Sequence, residues 1–262
     1  MTNIDFKNYF EFEEKEINCE KHGTIKINTF KNSQNLRCPT CLKEEEAVKE
    51  ELRKKIEIEK EKEFRKKMIE INFNQSMIPP RFQRHSFETF IITTEEQKKN
   101  KQVMEDYAQN FIKNLEDGVS VILSGKVGNG KTHLACAVAN YIIKNLNKTA
   151  LFLNVVDAFS KIKDTYTKKN ETSEIEALNQ FLEIDLLILD EFGVQIGSEH
   201  EKMLLFRIVN KRYENLKPTI LISNLSPIEI KKFEERIFDR LKEGGILLSF
   251  TGESNRKSKK IW

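Results

Sequence analysis

The sequence predicts an α/β protein: a five-stranded parallel sheet with helices on both faces, preceded by a small cysteine-containing module and a long charged helix. Three observations predict it. Between Val119 and Phe250, short apolar runs rich in β-branched residues alternate with helical stretches, the pattern of strands buried on both faces. The first run, Val119 to Leu123, leads into a glycine-rich loop and then the helix-forming stretch HLACAVANYIIKNL. A later run, DLLILDEFG from Asp185 to Gly193, stays apolar up to two adjacent carboxylates.

The chain has 262 residues, room for one large domain or a medium domain with an extra module. Charged residues make up 32% and hydrophobic residues 39%, so a packed core is accompanied by solvated helix or tail. A net charge of +3 does not demand nucleic acid; such a partner has to be argued from local clusters. The N-terminus MTNIDFKNYFEFEEKE is acidic and lacks the apolar segment of an export signal. No apolar run approaches the ~18 residues that span a membrane. The expected setting is a reducing cytoplasm with no membrane partner, where the four cysteines are metal ligands or core residues rather than disulfides.

Residues 1 to 17 read as a tail or short helix, with Phe6, Tyr9, Phe10 and Phe12 available for docking. Cys19 and His22 then form one half-site, and Cys38 and Cys41 a second, with fifteen residues between them. Two such half-sites suit a tetrahedral Zn²⁺ with three thiolates and one imidazole; the alternative is three unrelated cysteines. The intervening GTIKINTFKNSQNLR alternates as a small hairpin would. A module this small has little core, so metal would supply much of its folding free energy. Residues 1–42 are therefore expected to be a zinc-binding module. Cys136 stands apart as a small core residue.

Residues 43 to 76 contain no Gly or Pro, and Glu and Lys recur three or four apart. They read as one exposed helical linker, either a solvated spacer or a helix that pairs with a partner. Pro79 and Pro80 break it. The domain boundary falls here, so residues 77–262 form the third region. Within it, a helix is expected over 95–115, a strand over 149–156, helices over 157–169, 172–182, 198–215 and 227–243, and strands over 218–225 and 246–250.

Gly125, Gly130, Lys131 and Thr132 fit G-x-x-x-x-G-K-[ST], the phosphate-binding loop, in its required strand–loop–helix setting. Gly125, Gly128 and Gly130 permit the backbone angles that turn successive N–H groups toward phosphate oxygens. The loop residues Lys126, Val127, Asn129 and His133 complete the expected nucleotide-binding stretch. Lys131 would reach the β- and γ-phosphates of ATP, and the Thr132 hydroxyl would ligate Mg²⁺. Asp190 would hold the same Mg²⁺, and Glu191 would polarise the attacking water. Asn224 closes the strand ILISNL, where it would orient water or touch the γ-phosphate, or serve only as a turn residue. Arg236 and Arg240 share a helix face in ERIFDRL; one suits an arginine finger acting on a neighbour's ATP, or else a surface salt bridge.

GKVGNGKTHL, LLILDEFG, ILISNL, ERIFDRL and ESNR resemble the AAA+ ATPases of the DnaC/DnaI helicase-loader group, and IPPRFQRHSFETF resembles the linker that precedes their ATPase core. The likeness covers residues 77 to 256. It implies an AAA+ core with strand order 5-1-4-3-2. It also implies an ATPase that binds the replicative DnaB-type helicase and helps place it on single-stranded DNA. It assigns Asn224 to the first sensor, Arg240 to the arginine finger and Arg256 to the second sensor, a contact to nucleotide phosphate. The amino-terminal module looks like that of the DnaI type. An IstB-type transposition helper shares the core, and an ATP-gated adaptor with little hydrolysis is a reading of another class. If Arg240 acts in trans, ATP promotes self-association or docking on a ring-shaped partner.

The segment DAFSKIKDTYTKKN, Asp157 to Asn170, sets Phe159 and Tyr166 among Lys161, Lys163, Lys168 and Lys169. Aromatic faces stack on unpaired bases and lysines attract phosphates, so this stretch is the expected single-stranded DNA contact; the alternative is a core phenylalanine beside a solvated lysine run.

Overall fold

The computed structural model describes residues 11–31, 33–34, 36–163, 174–193 and 198–252, without the side chains of residue 163 and residues 174–178. The chain divides into two compact units, Met1–Arg65 and Lys66–Trp262.

In the first unit, β1 (Phe12–Cys19) and β2 (Gly23–Phe30) form an antiparallel hairpin with Ile17 opposite Ile25 and Cys19 opposite Gly23. This corrects two expectations. Residues 12–17 are strand rather than tail or helix, and the hairpin turns at Glu20–His22, inside the first half-site, not between the half-sites. The reason is visible in FEEKEINC, whose alternate residues face inward and pair along the whole of β2. Helix α1 (Pro39–Gln75) starts within the second half-site, with Pro39 in its first turn, where a missing N–H costs nothing. Glu50–Lys54 and Glu51–Lys55 pairs at 2.9 and 2.7 Å support it, and Val48, Leu52, Ile56 and Phe64 are exposed.

In the second unit, α2 (Glu95–Gln109) and α3 (Phe111–Glu116) replace one expected helix; the break is at Asn110. Then come β3 (Val121–Gly125), α4 (Lys131–Leu146), β4 (Ala150–Asn154), α5 (Val155–Lys163), α6 (Glu174–Glu183), β5 (Leu186–Phe192), α7 (Glu199–Glu214), β6 (Thr219–Ser223), α8 (Pro227–Phe233), α9 (Glu235–Lys242) and β7 (Ile246–Phe250). The stretch expected as one helix over 227–243 is two, separated by Glu234 in extended conformation. Capping boxes at Ser198/Glu201 and Ser226/Glu229 start α7 and α8.

The five strands are parallel in the order β4-β5-β6-β3-β7. Counted within this unit, that is 5-1-4-3-2, as the family resemblance implies. Strand alternation divides the core. Val121, Leu123, Phe152, Ile188 and Ile222 pack with α2 and α4 on one face. Ile122, Leu153, Leu189 and Leu221 pack with helices α5 to α9 on the other. At the amino ends of the strands, the buried Arg212 of α7 donates to the carbonyls of Phe181, Ile184 (3.0 Å), Asp185 (3.3 Å) and Pro218 (2.7 Å) and to Thr219 Oγ1 (3.1 Å). In open parallel sheets ligands bind at the opposite, carboxyl ends of the strands.

Candidate functional site

The loop Lys126–Gly130 joins β3 to α4, and Gly125 and Gly130 at its two ends take backbone angles that residues with a side chain rarely adopt. Gly125 has φ +134 and a Cβ there would lie 2.1 Å from the Phe250 carbonyl oxygen; Gly130 has φ +97 and its Cβ would strike the Phe90 ring at 2.5 Å. The loop is thus pressed between β7 and the segment preceding α2. That segment is no loose linker. Ile78, Phe87 and Phe90 are buried, and Asn140 Nδ2 of α4 donates to the carbonyls of Phe82 (3.0 Å) and His85 (2.8 Å). Its rings and the loop enclose a cleft of about 660 Å³, closed on the sheet side by Asn154, Asp190, Glu191 and Asn224.

Lys131 is buried to 5% exposure and its ammonium donates to the carbonyls of Gly125 and Lys126 (2.6 Å) and to Asn129 Oδ1 (3.4 Å). Thr132 Oγ1 donates to Asp190 Oδ2 at 3.0 Å. Burial raises the Asp190 carboxyl, opposed by the Glu191 N–H and the Thr132 hydroxyl that donate to it. Hard oxygens of Thr132 and Asp190 side by side fit Mg²⁺, and the glycine cradle around Lys131 fits a polyphosphate.

Asp190 and Glu191 stand on a β-bulge. Leu189 pairs with Leu221 and Phe192 with Ser223, so β5 carries one extra residue there. Glu191 takes a left-handed φ of +62. Its Oε2 accepts from Asn154 Nδ2, and Asn154 Oδ1 accepts from the Val156 N–H at 3.0 Å. Asn154 was missing from the sequence-based site, although it closes a strand as Asn224 does. Asn224 itself lines the cleft.

His133 lines the cleft beside His85, its Nε2 2.9 Å from the Ser86 carbonyl and its ring stacked on His85 at 4.0 Å. Burial, then the neighbouring His133 and Arg81, push His85 down to about 4. Above pH ~6.5 this imidazole is neutral in the folded and the unfolded chain. Between pH ~6.5 and about 4 only the unfolded chain takes up the proton, so stability falls with falling pH. We expect thermal midpoints to drop across this window, and to drop less in His85→Gln; equal slopes in both proteins would dismiss the contribution.

Arg240 does not line this cleft. Its Nε donates to Asn210 Oδ1 at 3.1 Å and its guanidinium lies 5.0 Å from the Tyr213 ring. Arg236 stacks on Phe206 at 4.3 Å. Arg256, Tyr166, Lys168 and Lys169 fall outside the described residues. Phe159 is buried at 2% exposure in the α5 core and cannot stack on a base, whereas Lys161 is exposed.

The first unit brings Cys19, His22, Cys38 and Cys41 together, their ligand atoms all within 4.8 Å. Cys19 Sγ lies 3.7 Å from His22 Nδ1 and 3.5 Å from Cys41 Sγ; His22 Nδ1 is 3.6 Å from Cys38 Sγ and 3.3 Å from Cys41 Sγ. A tetrahedron with bonds of about 2.3 Å to sulfur and about 2.0 Å to nitrogen has edges of roughly 3.5–3.8 Å. The four groups fit a zinc ion. His22 Nε2 lies 3.2 Å from Glu44 Oε1, the carboxylate partner that fixes a ligating imidazole. The His22 and Lys21 N–H groups bring the Cys19 thiol down to about 6, while sharing a hydrogen bond with Cys19 pushes Cys41 up to about 12.

Fold and cleft define a P-loop ATP-binding protein of the AAA+ type. Residues 33–261 match the family described as IstB-like ATP binding protein, and the chain belongs to that family. Cys19 and His22 lie outside the match. The chain is 41% identical over 174 residues to the replicative helicase loader DnaC of Buchnera aphidicola subsp. Baizongia pistaciae, covering 66% of this chain and 69% of that one. It is 36% identical over 188 residues to the replicative helicase loader DnaC of Escherichia coli K12, covering 71% and 75%. The crystal structure of a DnaC helicase loader superposes with a TM-score of 0.60 at 24% identity, covering 66% of this chain and all of that one, a likeness of fold. Among the described residues no helix is long and apolar enough to cross a membrane.

Proposed function

We propose that this protein is an ATP-hydrolysing loader that binds a DnaB-type hexameric helicase and places it on single-stranded DNA when replication starts. The observation that carries the reading is the convergence of Lys131, Thr132, Asp190 and Glu191 on one cleft, in a chain 41% identical to a relative named as such a loader. Lys131 engages the β- and γ-phosphates, and Thr132 and Asp190 hold Mg²⁺. Bound Mg²⁺ neutralises phosphate charge. Glu191 accepts the proton of the attacking water, and Asn154 holds that carboxylate aside until nucleotide is seated, which suits slow turnover. Asn224 reads the γ-phosphate and Arg256 contacts phosphate from beyond β7. A zinc module over residues 1–42, a helical linker over 43–76 and an ATPase domain over 77–262 divide the work. Lys168, Lys169 and Tyr166 are the proposed DNA contacts, together with the exposed Lys161.

Capture on immobilised hexameric helicase, stronger with ATP than with ADP, is the expected result. A transposition helper is the second reading, favoured by the family's own description; capture by a transposase and not by the helicase would select it. DNA binding should fall steeply with salt as counterions are released. It should also weaken in Lys168→Glu/Lys169→Glu, read by titrating a labelled oligonucleotide.

Arg240 sits apart from the chain's own cleft, which supports action in trans on a neighbour's ATP. Arg240→Ala should bind ATP normally and lose hydrolysis by about 10³-fold. Mixing it with Glu191→Gln subunits should restore part of the activity, because some interfaces then pair an intact Arg240 with an intact Glu191. A mixture as inactive as its components would remove the trans role.

A further inference from the structure

We propose that Asn129 is a positioning residue that transmits occupancy of the phosphate loop to the end of β7. The inference rests on the ATP reading of the cleft. Asn129 is buried at 1% exposure, and its one carboxamide faces two ways. Nδ2 donates to the Phe250 carbonyl at 2.8 Å and the Gly252 carbonyl at 3.2 Å, while Oδ1 accepts from Lys131 Nζ at 3.4 Å. The phosphate-binding cation and the end of the edge strand therefore share one planar group.

β3 and β7 end together at the Gly125–Phe250 pair, so the strand register does not hold Thr251 and Gly252, which follow β7. Side chains hold this end instead. Asn100 of α2 donates to the Ser249 carbonyl at 2.9 Å, and Glu96 accepts from the Thr251 N–H at 2.7 Å and from its hydroxyl. Gln97 Nε2 is buried without a hydrogen-bond partner among the described residues, 3.8 Å from where a Gly252 Cβ would stand. These contacts come from α2 and do not touch the loop. Asn129 alone among these named clamps belongs to the loop.

The direction of the effect follows from charge. With the Lys131 ammonium on Oδ1, the amide is polarised and Nδ2 is a better donor. A triphosphate offers the ammonium anionic oxygens, and charge-assisted bonds to these are stronger than bonds to a carbonyl. Lys131 then leaves Oδ1, the Nδ2 bonds weaken, and the end of β7 loosens. A purely structural Asn129 would hold β7 equally with and without nucleotide.

Hydrogen exchange of residues 246–252 in the full-length protein tests this, with and without a non-hydrolysable ATP analogue and Mg²⁺. In the wild type the analogue should speed exchange several-fold. Asn129→Ala should exchange about tenfold faster without nucleotide, the loss of roughly one hydrogen bond, and should no longer respond to the analogue. Asn129→Asp keeps the acceptor facing Lys131 and removes the donor, and should show the same lost response. Glu96→Gln should exchange faster yet keep the response, because it touches only the α2 side of the clamp. Wild-type protein that binds the analogue in a parallel titration without any change at 246–252 would overturn the relay alone, as would Asn129 variants that respond like wild type. Absence of binding in that titration would overturn the ATP reading and the relay with it.

Discussion

Lys131→Ala should weaken ATP binding by on the order of 10²-fold, the worth of one or two hydrogen bonds from a charged donor. Glu191→Gln should behave differently. It keeps the loop, the cation and the Thr132–Asp190 pair, so ATP still binds, and turnover falls by roughly 10²–10⁴-fold as the general base is lost. The two variants separate affinity from chemistry, and a binding titration beside a phosphate-release assay reads both. Lys131 also bonds to the Gly125 and Lys126 carbonyls, so its removal could loosen the loop. A Lys131→Arg variant keeps a cation there, and normal melting with lost binding in Lys131→Ala would assign the effect to the phosphate contact. Wild-type affinity and turnover in Lys131→Ala and Glu191→Gln together would end the ATPase proposal.

The first unit should contain one Zn²⁺ per chain and should lose its hairpin when the metal is stripped. β1 and β2 share only a few apolar pairs, Ile17 with Ile25 and Phe12 with Phe30, too little for a two-stranded sheet to stand alone. Structural zinc contributes roughly 10–16 kcal/mol of apparent binding free energy in small modules, which outweighs what those few apolar pairs supply. Cys38→Ser should abolish stoichiometric zinc, and exchange protection over residues 12–30 should vanish with it. The nucleotide cleft, lined by residues of the second unit, should keep its affinity. Metal analysis that finds no zinc in protein purified without chelator would falsify this assignment.

Fixed spacings made most of the cleft legible in the chain. The phosphate loop and the apolar strand before Asp190 announce themselves because their chemistry dictates residue type and order. The strand order came through resemblance; no local pattern encodes which strands become neighbours. Asn154 was hidden because its role depends on β4 lying next to β5, a pairing between residues 36 apart. The hairpin was misplaced for a related reason: alternation in residues 12–19 is built from Glu and Lys, whose charge masks a period of two that only pairing with β2 makes meaningful. The segment 77–90 read as an extended boundary from its prolines and as a linker by resemblance, yet the rings of Phe82, His85 and Phe90 wall the cleft, because Phe82, Phe87 and Phe90 pack against the core that contains α4.

Glu191 holds its carboxylate from a backbone with φ +62, a conformation that costs a residue with a side chain about 1 kcal/mol or more and glycine almost nothing. Folding stability and function therefore ask for different residues at this position. Glu191→Gly should melt higher than wild type by a few degrees for a unit of this size, while losing the proposed base altogether. Selection for heat resistance alone would erode this position, and a chain kept active must recover the lost stability elsewhere in the sheet.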